Sequence, residues 1–184
     1  EQDERFLDIH SKRTYSETQP FRRMKVRLKK EIISLGRDDI SPKELTGEYI
    51  SPRELFEMYE NKEDVIVLDT RNEYETRVGA FENAIDLQLD TFRDFPTAVE
   101  TLPENYKDKQ IVMYCTGGIR CEKASAVMIK AGFTDVKQLD GGVLEYFKET
   151  GGAYWEGDCF VFDERVALDK ELNETEYIYC YICR

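Results

Sequence analysis

The sequence predicts an α/β fold, a parallel sheet flanked by helices on both faces, with a basic arm before it and an extension after it. Three observations carry this. Asp64-Val65-Ile66-Val67-Leu68-Asp69 and Ile111-Val112-Met113-Tyr114 are near-continuous apolar runs, as expected of parallel strands covered on both faces. Segments of helical period alternate with such runs through short connectors, the pattern of βα units. Finally, the second run ends in Cys115-Thr116-Gly117-Gly118-Ile119-Arg120-Cys121 and passes into a stretch where Ala124, Val127 and Met128 recur at helical spacing before Gly132. A strand end that crosses a glycine loop into a helix start is where an open α/β sheet places its ligands.

In chain order, residues 1–20 are polar and aperiodic and read as an extended arm. Phe21 to Lys29 alternates, with Met24, Val26 and Leu28 on one face and Arg23, Lys25, Arg27 and Lys29 on the other, as in a half-buried strand. Two readings fit that basic face: a solvated strand surface, or a phosphate-tracking patch for RNA. Ile40-Ser41-Pro42 and Gly47 punctuate a linker. Ser51-Pro52-Arg53-Glu54 has the residues of a helix start, with Ser51 as N-cap, Pro52 at the first position and Glu54 closing a capping box. Leu55, Met58 and Tyr59 give that helix its apolar face, and it is expected to end near Asn61.

The strand at 64–69 delivers Asp69-Thr70-Arg71-Asn72-Glu73-Tyr74-Glu75 to the ligand side of the sheet. Asp69 is expected to fix neighbouring loops. Arg71 and Glu73 are either pocket residues or ordinary surface charges. Gly79 to Ile85 suggests a turn and a short strand, and Thr91–Leu102 a helix broken at Pro96. Val136–Leu139 reads as the next strand, Asp140-Gly141-Gly142 as a turn, and Val143–Lys148 as the last helix, with Leu144 and Phe147 inward. The expected division is 1–40 arm and linker, 41–151 the α/β domain, and 152–184 the extension. The first residue is Glu rather than Met, as expected of a piece of a longer chain.

Composition bounds the function. The chain of 184 residues is 41% hydrophobic, enough for one core and an appendage. No apolar run reaches the length of a membrane span, and no signal-peptide pattern is present. Five cysteines at irregular spacing do not suggest a secreted disulfide framework, so a reducing, cytoplasmic setting is expected. A net charge of −12 argues against nucleic acid taken alone, but it is unevenly spread. Lys12 to Lys30 holds eight Lys/Arg against Glu17, a local +7 that leaves −19 elsewhere.

The chemistry concentrates at Cys115. Gly117 and Gly118 permit a tight curl that can aim several backbone N–H groups at one point. The following helix adds its positive end, and Arg120 adds a permanent cation. Positive surroundings favour the thiolate, which makes Cys115 a nucleophile candidate; the competing reading is a small buried hydrophobe. Thr116 either donates a hydrogen bond or shapes the turn, and Ile119 completes the loop. Cys121 fits a resolving thiol or a packed first-turn side chain.

A strand-closing cysteine, a loop ending in Arg120 and a helix behind it resemble the active-site loop of a rhodanese domain. Cys115 through Arg120 is six residues, the length of the sulfur-handling rhodaneses rather than the longer loop of related phosphatases. The resemblance spans about Ser51 to Gly151 and includes Asp69-Thr70-Arg71, Tyr74-Glu75, Gly79 and Gly141-Gly142. Phe92-Arg93-Asp94-Phe95-Pro96, the Cys115–Lys123 run, Trp155 through Arg165 and Pro20 through Arg27 are similar to the rhodanese-containing tRNA uridine(34) hydroxylases. That resemblance implies oxygen-dependent conversion of the wobble uridine of tRNA to 5-hydroxyuridine, with Cys115 essential. It also implies tRNA as partner and molecular oxygen as co-substrate; with one histidine, His10, and no carboxylate–histidine cluster, no bound cofactor is expected, and the sequence does not identify the reductant. In its light the arm is expected to follow an amino-terminal domain. A thiosulfate-type sulfurtransferase with a Cys115 persulfide, and a non-catalytic rhodanese-like binding module, are the other classes. Cys180-Tyr181-Ile182-Cys183 is a C-x-x-C that could supply half of a zinc site, needing further ligands from beyond Arg184.

Overall fold

The computed structural model describes residues 15, 16 and 18–180. Its strands are β1 (Glu48–Ile50), β2 (Ile66–Asp69), β3 (Gly79–Phe81), β4 (Ile85–Asp86), β5 (Gln110–Tyr114), β6 (Asp135–Leu139), β7 (Trp155–Gly157), β8 (Cys159–Phe160) and β9 (Ala167–Leu168). Its α-helices are α1 (Pro52–Glu60), α2 (Glu73–Thr76), α3 (Phe95–Val99), α4 (Ile119–Lys130) and α5 (Gly142–Thr150). Five strands form one sheet in the order β1-β6-β5-β2-β4, and all its pairings are parallel.

The apolar runs are continuous because successive residues serve opposite cores. Along β5, Ile111, Met113 and then Cys115 pack on one face with α3 and α4, through Phe95, Val99, Ala124 and Met128. Val112 and Tyr114 pack on the other with α1 and α5, through Leu55, Val143 and Phe147. The expected parallel sheet with helices on both faces is therefore the observed architecture. The Ser51–Glu54 capping box closes reciprocally and Asn61 caps the far end of α1.

Two local expectations are corrected. Pro96 does not break a helix; a 3₁₀ turn at Phe92–Asp94 leads directly into α3, and Pro96 stands in its first turn, where a missing N–H costs nothing. Residues 21–29 form no strand. Met24, Val26 and Leu28 are 91%, 83% and 104% exposed, because among the described residues no strand or layer lies against them. Alternation buries a face only where a partner exists.

The extension returns to the domain rather than trailing from it. β7 pairs antiparallel with β3, Trp155 and Cys159 enter the core shared by α1 and α5, and β8 pairs with β9. This places Phe160 to Asp163 beside the carboxyl ends of the central strands.

Candidate active site

The loop from Cys115 to Arg120 bridges β5 and α4 and is held from behind by the start of α5. Val143 N–H donates to the Cys115 carbonyl at 3.0 Å and Leu144 N–H to that of Thr116 at 3.2 Å. Two glycines make this approach feasible. Gly118 takes φ +89°, which turns its N–H onto Cys115 Sγ at 3.1 Å. Gly142 takes φ +67°, and a Cβ there would lie 2.7 Å from Gly118 N. Gly117 has no positive φ, so the left-handed turn belongs to Gly118 alone.

Cys115 is fully buried, and its pKa is lowered to about 6. The hydrogen bond from the Cys121 thiol is the largest cause, followed by the Arg120 charge and by the Arg120 and Gly117 amides; burial works against them. Cys121 is pushed the other way, well above the ordinary thiol range, by burial and by the neighbouring sulfur. Thr70 Oγ1 lies 3.7 Å from Cys121 Sγ and donates to the Tyr114 carbonyl at 2.8 Å. Cys159 provides the contrast, since burial raises it to about 12. The two sulfurs at the loop are thus one ionised acceptor and one protonated donor.

Arg120 does not offer a free fork to an anion. Its Nη1 and Nη2 donate to Glu75 Oε2 and Oε1, a carboxylate with no solvent exposure that also receives the Thr116 hydroxyl at 3.2 Å. The guanidinium still acts on Cys115 through its charge, and it lies 5.6 Å from the Phe162 ring. Glu75 is the functional residue to which the sequence assigns no role of its own. The signal available was Asn72-Glu73-Tyr74-Glu75, a polar residue followed three positions later by Glu at a helix start, but its ion partner is 45 residues away.

Cys115, Thr116, Gly117, Ile119 and Arg120 line a cavity of about 440 Å³, within the usual range for small-molecule sites. Phe92, Phe162 and Ile32–Ser34 complete its largely apolar wall, and Lys123 Nζ ties the arm down by donating to the Ile33 carbonyl. Asn72 also lines it. Its Nδ2 donates to the Tyr74 hydroxyl, while its Oδ1 is buried and, among the described residues, accepts no hydrogen bond.

The other sequence candidates lie elsewhere. Asp69 and Arg71 form a buried ion pair, Nη2 to Oδ2 2.6 Å, with Arg71 also donating to the Gly79 carbonyl and stacked near Tyr114 and Trp155. That pair ties β2 to β3 and does not reach the cavity. Glu73 pairs with Arg77 at the surface. Arg23 and Lys25 line a second, larger cavity and Arg27 and Lys29 do not; Cys180 lies on its wall, and Cys183 is outside the described residues.

A family model, the rhodanese-like domain, matches residues 51–149, which contain four of the sheet's five strands, all but β1, and the whole Cys115 loop. The chain belongs to the rhodanese-like domain family. It is also 44% identical over 98% of its length to a tRNA uridine(34) hydroxylase from Acinetobacter baylyi, and 45% identical over 98% to one from Acinetobacter baumannii. The chain spans 57% of the length of those curated relatives. Among solved structures, a Bacillus halodurans protein is 27% identical with a TM-score of 0.49, covering 62% of this chain and 80% of its own. No helix among the described residues of this rhodanese-family chain is long and apolar enough to cross a membrane.

Proposed function

We propose that this chain carries the reacting centre of a tRNA wobble-uridine hydroxylase, with Cys115 as the nucleophile, acting in the cytoplasm. The observation that carries the reading is the environment of the ionised sulfur: a cavity with largely apolar walls, a buried acceptor on Asn72 with no hydrogen bond among the described residues, and an arginine whose fork is already filled by Glu75. Such a site suits a flat, uncharged ring with hydrogen-bonding edges better than a small dianion. The names of the relatives point the same way.

Conversion of a uridine C5–H to C5–OH by molecular oxygen places one oxygen atom on the base and the other in water. That balance takes two electrons and two protons, so a two-electron reductant belongs to the reaction. Nucleoside mass spectrometry tests the proposal, using tRNA from cells whose only source of the protein is wild type or Cys115→Ala. Loss of 5-hydroxyuridine with the alanine variant is expected; its persistence overturns the reading.

Thiosulfate sulfurtransfer through a Cys115 persulfide is the second reading, favoured by the low pKa of the thiol and by the six-residue loop. It needs a cation free to hold the sulfane donor, and Glu75 occupies the one in the loop. Thiocyanate formation from thiosulfate and cyanide at a rate typical of dedicated sulfurtransferases would reverse this preference.

A further inference from the structure

The larger cavity, about 1200 Å³, is not absorbed by the chemistry at Cys115. The arm supplies one wall with Phe21, Arg22, Arg23 and Lys25. The start of α2 and the extension supply the other with Tyr74 and Phe162. The two walls are fastened together: Glu164 N–H donates to the Pro20 carbonyl at 2.9 Å, and Arg22 pairs with Glu164 at 3.1 Å.

We propose that this groove is a single-stranded RNA track that feeds the Cys115 cavity. The inference rests on the hydroxylase reading above and adds where the strand lies. Three features of the groove support it. Its aromatic rings are presented rather than packed away: Phe21 and Phe162 are each 58% exposed and Tyr74 is 46% exposed. Exposed rings are platforms on which bases of any identity stack.

Its charge is opposite to that of the chain. Asp163 is neutralised by Arg165 at 2.6 Å and Glu164 by Arg22, whereas Arg23 and Lys25 meet no carboxylate among the described residues. Two cations with no carboxylate partner among the described residues, beside aromatic rings on a protein of net charge −12, suit a phosphate backbone with splayed bases.

Its position is continuous with the reacting centre. Phe162 belongs to the walls of both cavities, and its ring lies 5.6 Å from the Arg120 guanidinium. Phe160 meets Phe162 edge to face at 5.2 Å and Tyr74 at 5.3 Å, so the rings form one connected surface. A strand stacked along the groove would arrive with a base at the entrance to the Cys115 cavity.

The test is fluorescence anisotropy with a fluorescein-labelled decamer of uridine, from 50 to 200 mM salt, on the 184-residue chain and its variants. Phe162→Ala is expected to weaken binding about tenfold or more, the usual cost of removing a stacking ring. Arg23→Glu with Lys25→Glu is expected to weaken it further and to flatten the salt slope by about 0.7 for each phosphate that is no longer neutralised. Phe21→Ala, far from the core, repeats the aromatic test should Phe162→Ala unfold. Unchanged affinity in the aromatic variants overturns the proposal, as does decaglutamate binding as tightly as the RNA, which would mark a simple charge patch. A wild-type chain that binds the decamer no better than the charge-reversed variant also overturns it. The tRNA nucleoside assay with Cys115→Ala is independent of these outcomes, so failure of the groove and failure of the hydroxylase reading are separable.

Discussion

Glu75 and Arg120 meet fork to fork beneath the reactive loop, with Nη1 2.6 Å from Oε2 and Nη2 2.7 Å from Oε1. Both side chains are at most 6% exposed. Breaking such a pair from one side leaves a buried charge uncompensated, at a typical cost of about 3–5 kcal/mol. Glu75→Gln keeps the shape and removes the charge, so urea unfolding is expected to show a loss in that range. The same change leaves the Arg120 charge fully directed at Cys115, and the thiol pKa falls further. The pH profile of iodoacetamide alkylation would register this as a midpoint below about 6.

The thiol also sets a pH dependence of stability. Its folded pKa of about 6 lies below its ordinary value of 9.0, so the unfolded chain binds the proton more tightly. The resulting stabilisation is fully present above pH 9 and is lost as pH falls through about 6, so stability from this group rises between those values. Cys121→Ala removes the largest cause of the depression. Its alkylation midpoint is expected to move up towards 9, and its stability gain across the window to shrink. Cys121→Ser, which keeps an O–H donor, is expected to restore most of both. Identical midpoints in wild type and Cys121→Ala would show that the Arg120 charge and the loop amides suffice.

What the sequence exposed and what it hid divide along the distance between partners. The Ser51–Glu54 box, the double-sided β2 and β5 and the strand–loop–helix at Cys115 are each specified by neighbours in the chain, and each is legible there. The role of Glu75 depends on Arg120 across 45 residues, and that of Phe162 on the fold of the extension back onto β3. Arg71 reads from the sequence as a surface charge or, less readily, a pocket residue, yet it lies with Asp69 in the interior, because charged residues can be buried when paired. Residues 21–29 carry a strand's alternation, but periodicity does not say whether a partner is within reach.

Asn72 supplies a sharper test of what the cavity holds. Asn72 caps the start of α2, where its N–H donates to Glu75 Oε2 at 3.1 Å, and its Oδ1 is buried and meets no hydrogen-bond criterion among the described residues. A substrate N–H would complete it once the side chain turns towards the cavity that Asn72 lines. Asn72→Ala is expected to lower hydroxylation of tRNA about tenfold in kcat/KM, the worth of a single neutral hydrogen bond at the upper end of its range. Thermal unfolding should move by only a few degrees, since the lost bond to Tyr74 is exposed. An unaltered kcat/KM would mean the base meets no acceptor there.

The two glycines at 117 and 142 separate loop geometry from loop composition. Gly117 has no positive φ, and a Cβ there would find nothing within 4 Å; Gly117→Ala is expected to stay within about 0.5 kcal/mol of wild type. Gly142 differs on both counts. Its φ of +67° costs an L-residue about 1–2 kcal/mol, and its Cβ would press on Gly118 N at 2.7 Å, on Thr116 O at 2.8 Å and on the Cys115 carbonyl. All three are backbone atoms, and the loop can yield only by shifting as a whole. That shift pulls the Gly118 N–H away from Cys115 Sγ, so Gly142→Ala is expected to lose more than about 2 kcal/mol in urea unfolding, combining left-handed strain with overpacking. It should also raise the alkylation midpoint of Cys115. If the midpoint stays near 6 while stability drops, the Gly118 amide is not among the groups that hold the sulfur ionised, and the Cys121 thiol, the Arg120 charge and the Arg120 and Gly117 amides carry that task.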